Sequence, residues 1–149
     1  NKDIKFREIR DKLLDTKKYE KIMKFMFVKK NFDYKKKIKK LYFNKKNLKT
    51  ISNMGHIIGL HSHSHPYSIS KLSYNKQAKE FRTNKKILEK ITKKNVISAS
   101  FPRGDYNATT LKVFNKLGIQ IAFRDNELKI NKNPKGKNLE IARIDHNKI

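Results

Sequence analysis

Residues 51–70 read ISNMGHIIGLHSHSHPYSIS, and this stretch contains no Lys, Arg, Asp or Glu although 34% of the chain is charged. It also holds four of the five histidines. An uncharged stretch in so charged a chain is predicted to be largely buried or to line a site. Within it, Ile57, Ile58 and Leu60, together with Gly59, indicate a short buried strand of the kind found in parallel sheets.

The residues that follow alternate between helical and strand patterns. Apolar spacing predicts a helix over Tyr74–Thr92, and a second helix that Asn107 caps and Gly118 closes. Short apolar runs predict strands over 96–101, 119–123 and 139–144, with a polar loop over 126–138. Alternation of strand and helix from residue 56 onward predicts an α/β fold with a parallel sheet or barrel.

The first 50 residues have a different composition. They carry 19 Lys or Arg and 6 Asp or Glu, a net charge of +13. Apolar residues recur among them with helical spacing, as at Ile22, Phe25 and Met26, which predicts two or three amphipathic helices. Asp15 or Thr16 is a suitable cap for the second of these helices.

The overall composition excludes several classes of protein. The chain has 149 residues, which is enough for one ordinary core, and it has no Cys, so disulfides, cysteine zinc sites and thiol catalysis are excluded. The sequence has no run of about 20 apolar residues that would span a membrane. The net charge is +25, but 32 of the 38 cations are Lys, whereas phosphate forks and base edges favour Arg. A solvated lysine-rich surface is therefore favoured over nucleic-acid binding, and a polyanion-binding surface remains the alternative.

The histidines at 61, 63 and 65 follow the predicted strand directly, where α/β folds bind their ligands. If the strand continued, all three rings would project to one side; if the chain turned, His61 and His65 would share a face. Pro66 favours a single turn. We therefore interpret His61 and His65 as ligands of one divalent metal. His56, alone before the strand, is interpreted as structural.

The segment from Gly55 to Pro66, GHIIGLHSHSHP, resembles the second motif of the polysaccharide deacetylases, the family-four carbohydrate esterases, which reads G-H-E-I-G-x-H-[ST]-x-x-H-P. It departs only at the acidic position, where Ile57 stands. The resemblance implies that His61 and His65 bind a divalent metal, usually zinc. It also implies that Ser62 shapes the turn and that His63 occupies a variable position.

A second segment, SFPRGDYN over 100–107, resembles the groove motif of that family, often R-x-P-[FY]-G followed by Tyr-Asn. The family's Arg position is Ser100 here, and Arg103 stands in the aromatic position. The resemblance implies a substrate-binding role for four residues: Pro102, Arg103, Gly104 and Tyr106. A weaker likeness to a terminal family segment lies at 143–145.

The resemblance covers about residues 47–145 and implies the C-terminal portion of a distorted β/α barrel. The first family motif, T-F-D-D-G, which supplies the third metal ligand and the general base, is absent from residues 1–50. We therefore expect one incomplete domain over 1–149, with a Lys-rich helical insertion over 1–50 and a β/α core over 51–149. An open sheet edge would make such a chain marginally stable or prone to associate.

The function implied by the resemblance is metal-dependent removal of N- or O-acetyl groups from a carbohydrate, such as a cell-envelope polysaccharide. No catalytic residue is assigned: Asp105 is interpreted as stabilising the helix after it, and His146 is a weak candidate for the acid. Two alternatives stay open, a non-catalytic deacetylase-like remnant and a basic module that binds a polyanion. The sequence does not specify the sugar, the oligomeric state or the compartment.

Overall fold

A computed structural model describes residues 2–125 and 138–143. Contacts divide the chain into two compact units, Asn1–Asn44 and Lys45–Ile149. The division falls between residues 44 and 45, whereas the sequence pattern predicts a boundary between residues 50 and 51.

The N-terminal unit is helical. Its helices are α1 (Lys2–Glu8), which continues into a π-helical turn over Ile9–Leu13, then α2 (Thr16–Lys29) and α3 (Tyr34–Leu41). The Asp15 carboxylate caps α2 by accepting from the N–H of Lys18 at 2.9 Å, and Asp33 caps α3 in the same way. Many large apolar side chains of this unit are exposed, among them Leu41 with 76% of its surface accessible.

The second unit contains helices and a parallel sheet. Its helices are α4 (Lys45–Asn53), α5 (Tyr74–Thr92) and α6 (Ala108–Lys116), and its strands are β1 (Ser98–Ser100), β2 (Ile121–Phe123) and β3 (Asn138–Ile141). The strands lie in the order β1-β2-β3, and both pairings are parallel. The predicted α/β class with a parallel sheet is therefore confirmed, and α5 has the predicted bounds.

The core of this unit lies between α5, α6 and the sheet. Phe81 on α5 and Phe114 on α6 meet edge to face with ring centroids 4.7 Å apart, and Phe101 stacks on Phe114 at 5.3 Å. The buried polar pair beside them is satisfied, since the Thr110 hydroxyl donates to Gln77 Oε1 at 2.7 Å. This packing fixes α5 against β1, and the histidine segment that follows Leu60 lies beside both elements.

The strand predicted around Ile57–Leu60 is wrong in extent. Only Leu60 pairs with β1: its N–H donates to the Ser98 carbonyl at 2.9 Å, and its own carbonyl accepts from Ser100 N–H at 2.8 Å. Gly59 allows this approach, because a Cβ there would meet Ser98 Oγ at 2.7 Å. Ile57 is 76% exposed, and within the described ranges no segment pairs along its outer side.

Two outcomes were predicted for the uncharged stretch, burial or a place in the lining of a site, and the structure contradicts the first of them. Only four of its residues are buried: Ser52, Leu60, Ser62 and Ile69. Uncharged residues can be buried at low cost, but they are buried only where another layer of helices or strands packs against them. Within residues 2–125 and 138–143, no helix is long and apolar enough to cross a membrane.

Candidate metal centre

The backbone of His61 is anchored to α5 and its ring to β1. The backbone N–H donates to Asn84 Oδ1 on α5 at 3.1 Å, while ring Nδ1 lies 3.1 Å from the Ser100 carbonyl and 2.9 Å from the Ser100 hydroxyl. Because a carbonyl oxygen only accepts, the contact with it requires the proton on Nδ1. The lone pair is then on Nε2, which is the arrangement that second-shell carbonyls impose on metal-binding histidines.

The chain after His61 forms a tight turn rather than a helix or a strand. Ser62 and His65 both have positive φ, at 64° and 51°, and Ser62 Oγ accepts from the N–H of His65 at 3.1 Å. The turn brings the rings of His61 and His65 to a centroid distance of 5.1 Å with an interplanar angle of 56°. His63 lies between them in the chain and, like them, is exposed.

Glu80 on α5 holds the middle of this turn. Its Oε2 accepts from the N–H groups of His63 and Ser64 at 3.0 and 2.8 Å, and its Oε1 accepts from the Ser64 hydroxyl at 2.8 Å. Burial alone would raise the pKa of Glu80, but these hydrogen bonds lower it below its ordinary value. Glu80 and Asn84 were not predicted as site residues; their spacing of four residues on one helix face was the only available signal.

The protonation state of His61 suits metal binding. Burial lowers the pKa of His61 below its ordinary value; the hydrogen bond to Ser100 opposes this shift, and the charges of His65 and Arg143 add to it. His61 is therefore mainly neutral at pH 7. The described residues bring no group of three His, Cys, Asp or Glu side chains together. The two imidazoles of His61 and His65 fit a divalent metal such as zinc as part of its ligand set. The remaining ligands would have to come from groups other than these two histidines.

A cavity of about 710 Å³ opens beside His61. Its walls come from residues 57–61, from β1, from Phe123 of β2 and from the residues directly after β3, which include Arg143. An extended polar ligand next to the histidine pair would find an apolar floor and one cation there.

The four residues predicted to bind substrate lie in and after a 3₁₀ turn over Pro102–Gly104. Pro102 is buried, and the Arg103 guanidinium lies 4.4 Å above the Tyr67 ring. Gly104 has φ 65°, and a Cβ there would collide with the Asp125 carboxylate. These residues thus form one rigid turn after β1, in which Arg103 is the exposed member.

Tyr106, the fourth of them, has its ring stacked on Phe101 at 4.0 Å. Its hydroxyl donates to Glu140 Oε1 at 2.7 Å, which ties the turn to β3. Burial, together with the Glu140 carboxylate, raises the pKa of Tyr106 above its ordinary value. The hydroxyl therefore stays protonated at neutral pH and acts as a donor.

The hydrogen bonds of Asp105 go to residues before α5 and not to the helix that follows it. Its Oδ2 accepts from the Ser68 hydroxyl at 2.7 Å and from the Ser70 N–H at 3.0 Å. Asn107 caps α6 instead, through a reciprocal capping box with Thr110. His146 and residues 144–145 lie outside the described residues, so those interpretations stay predictions.

Comparisons with known proteins agree with the motifs. The family model described as polysaccharide deacetylase matches residues 3–122, a range that includes the N-terminal helices. No curated protein sequence matches the chain.

Solved structures similar to this chain include a deacetylase. The Streptococcus pyogenes deacetylase PplD, in complex with acetate, is 28% identical with a TM-score of 0.61, over 68% of this chain and 44% of that one. The deacetylase domain of BpsB from Bordetella bronchiseptica is 15% identical with a TM-score of 0.58, over 68% and 48%. BA3943 from Bacillus anthracis, a CE4 family pseudoenzyme, is 20% identical with a TM-score of 0.50, over 57% and 29%. The chain thus spans less than half the length of these structures.

Proposed function

This chain belongs to the polysaccharide deacetylase family, and from that premise we propose that it takes part in metal-dependent removal of acetyl groups from a carbohydrate. The metal is a divalent ion, zinc by the preference of imidazole donors, held by His61 and His65. The substrate is an acetylated carbohydrate, such as a cell-envelope polysaccharide.

One observation carries this proposal: two imidazoles lie side by side at the end of a parallel strand segment, with centroids 5.1 Å apart. Nδ1 of His61 is engaged by Ser100, so Nε2 is the nitrogen left for a metal. A bound divalent ion would supply an activated water and polarise the acetyl carbonyl. The residues of this chain orient the ring of His61 and keep it unprotonated.

The turn over Pro102–Gly104 supports a binding role for the groove. Arg103 is exposed and stacked on Tyr67, a combination suited to hydroxyl groups and sugar faces. Pro102, Gly104 and Tyr106 act through rigidity, since burial, a positive φ and the Tyr106–Glu140 hydrogen bond hold the turn in place.

A second candidate is a non-catalytic member of the family. Two observations favour it: the described residues place no carboxylate with the histidine pair, and one structural neighbour is called a pseudoenzyme. Asp105 and Glu80, two carboxylates of this region, are both occupied by hydrogen bonds. We therefore expect little acetate release from this chain alone.

Zinc binding tests the histidine pair. We expect His61→Ala and His65→Ala to weaken zinc binding at least tenfold, because each removes one of two ligands. His63→Ala and His56→Ala are matched controls and should change the affinity less than twofold. If His63→Ala costs as much as His65→Ala in a competition titration, the assignment of the pair is wrong.

Acetate release separates the two candidate functions. Chitooligosaccharides and a small aryl acetate would be incubated with the chain in the presence of zinc or cobalt. Zinc binding without acetate release supports the non-catalytic candidate. Robust release that His61→Ala abolishes would instead show that another carboxylate acts as the base.

A further inference from the structure

The turn that carries the two histidines is held from outside by one face of α5. Glu80 and Asn84 lie one helical turn apart, and between them they accept four hydrogen bonds from residues 61–64. Three of the four donors are backbone N–H groups. These contacts therefore constrain the path of the chain directly rather than a single side chain.

We propose that Glu80 and Asn84 are positioning residues that hold His61 and His65 in the metal-binding arrangement before any metal binds. The inference rests on the proposed function, because holding the two histidines in place matters only if they bind a metal. Asn84 accepts from the backbone N–H of His61, and the bonds to Glu80 come from His63 and Ser64, so the hydrogen bonds of both side chains go to the turn and not to an imidazole nitrogen.

The conformation of the turn explains why outside support is needed. Ser62 and His65 have side chains yet adopt positive φ, a region that residues other than Gly rarely occupy. Within the turn itself only one hydrogen bond offsets this strain, from His65 N–H to Ser62 Oγ. The three bonds to Glu80 come from His63 and Ser64, which lie between these two positions. They stabilise the strained backbone conformation of the turn relative to other conformations.

The hydrogen bonds to the turn engage both oxygens of the Glu80 carboxylate. Its Oε2 is shared by two N–H donors, and Oε1 takes the Ser64 hydroxyl. Each oxygen is therefore directed at the turn, which separates a positioning role from that of a metal ligand or a general base.

The test measures zinc affinity in the full chain. Glu80→Ala should weaken zinc binding about 10- to 100-fold, the range seen when groups supporting metal ligands are removed. Glu80→Gln should stay within about threefold, because its amide oxygen can accept both N–H groups while its NH₂ donates to Ser64 Oγ. Asn84→Ala should weaken binding, whereas Asn75→Ala, an exposed Asn on the same helix, should not.

A second readout uses the metal-free chain, so that it stays informative if zinc does not bind. Hydrogen exchange should show protected amides at His63 and Ser64, with protection falling at least tenfold in Glu80→Ala. Asn84→Ala should expose the His61 amide alone. Protected α5 amides verify that each variant is folded, and if Glu80→Ala is not, Ser64→Ala and Asn84→Ala test the same contacts.

The outcomes distinguish the two proposals. Loss of loop protection with no zinc binding even by the unaltered chain would leave the holding role intact and refute the metal site. Unchanged zinc affinity together with unchanged protection of His63 and Ser64 in folded Glu80→Ala would overturn the positioning role. Equal losses in Glu80→Gln and Glu80→Ala would overturn the hydrogen-bond mechanism given for it.

Discussion

Replacing Asp105 by Asn tests whether this carboxylate is a structural tie or the missing base. Asp105 Oδ2 accepts from the Ser68 hydroxyl at 2.7 Å and the Ser70 N–H at 3.0 Å. Asn has nearly the same shape and keeps one acceptor oxygen, but it has no charge. The substitution therefore removes the charge assistance of two hydrogen bonds and leaves the packing in place.

The expected magnitude follows from those two bonds. A hydrogen bond to a charged group contributes about 1.5–3 kcal/mol, against about 0.5–1.5 kcal/mol for a neutral pair. Asp105 is half-buried, so we take the lower end of the difference, about 1 kcal/mol per bond and about 2 kcal/mol in all. For a chain of this size that free energy corresponds to a fall in Tm of about 4–8 °C.

The stability that the Asp105 carboxylate contributes depends on pH. Burial raises the pKa of Asp105, but hydrogen bonds from Ser70, Ser68 and Ile69 outweigh it and lower the pKa below the ordinary value. The stabilisation is therefore complete above the unfolded pKa of about 3.9 and is lost as pH falls through the folded pKa. Urea melts of Asp105→Asn and the unaltered chain should differ most at pH 7 and converge below about pH 4.

Asp33→Asn is the matched control, because it removes the same charge from an exposed cap that Asn fills equally well. It should change the free energy of unfolding by less than about 0.5 kcal/mol. Zinc affinity should stay within twofold in both variants. Unchanged stability in Asp105→Asn, or a loss of acetate release without a loss of stability, would refute the structural interpretation of Asp105.

Three further substitutions test the packing around the site by thermal or urea melts. Gly104→Ala should lower the free energy of unfolding by about 1–3 kcal/mol, because φ 65° strains a residue with a side chain and because its Cβ would collide with Asp125. Gly55→Ala is the control: φ is positive there too but the space is open, so it measures the backbone strain alone. Asn107→Ala should cost about 1 kcal/mol through loss of the α6 cap, and Asn107→Ser should restore most of it. Phe114→Ala should cost about 3–5 kcal/mol, because the fully buried ring contacts Phe81 and Phe101; a loss below 1 kcal/mol would contradict this core.

The helices were predictable because their signals are local. The bounds of α5 and the cap at Asn107 follow from apolar spacing and from side chains within one turn of the backbone groups they serve. The parallel character of the sheet was also predictable, since short apolar strands separated by helices need crossover connections. The family likewise follows from contiguous motifs, and the match over residues 3–122 confirms it.

The extent of the first strand could not be predicted, because a strand exists only where a neighbour pairs with it. Ile57, Ile58 and Leu60 have a strand pattern, yet Leu60 alone bonds to β1. The apolar pattern shows that these residues are compatible with a buried strand. The length of the strand depends on how many of them find a neighbouring strand to pair with.

For the candidate site, the sequence alone determined the pair of histidines as a hypothesis, through their spacing and the proline that follows them. Only the tertiary structure decided what holds them. Ser100 lies 39 residues from His61, and Glu80 lies 16 and 17 residues from the amides that it binds. Hydrogen bonds at such separations depend on how α5 and β1 pack around the shared core of Phe81, Phe101 and Phe114, and no local pattern in the chain specifies that packing.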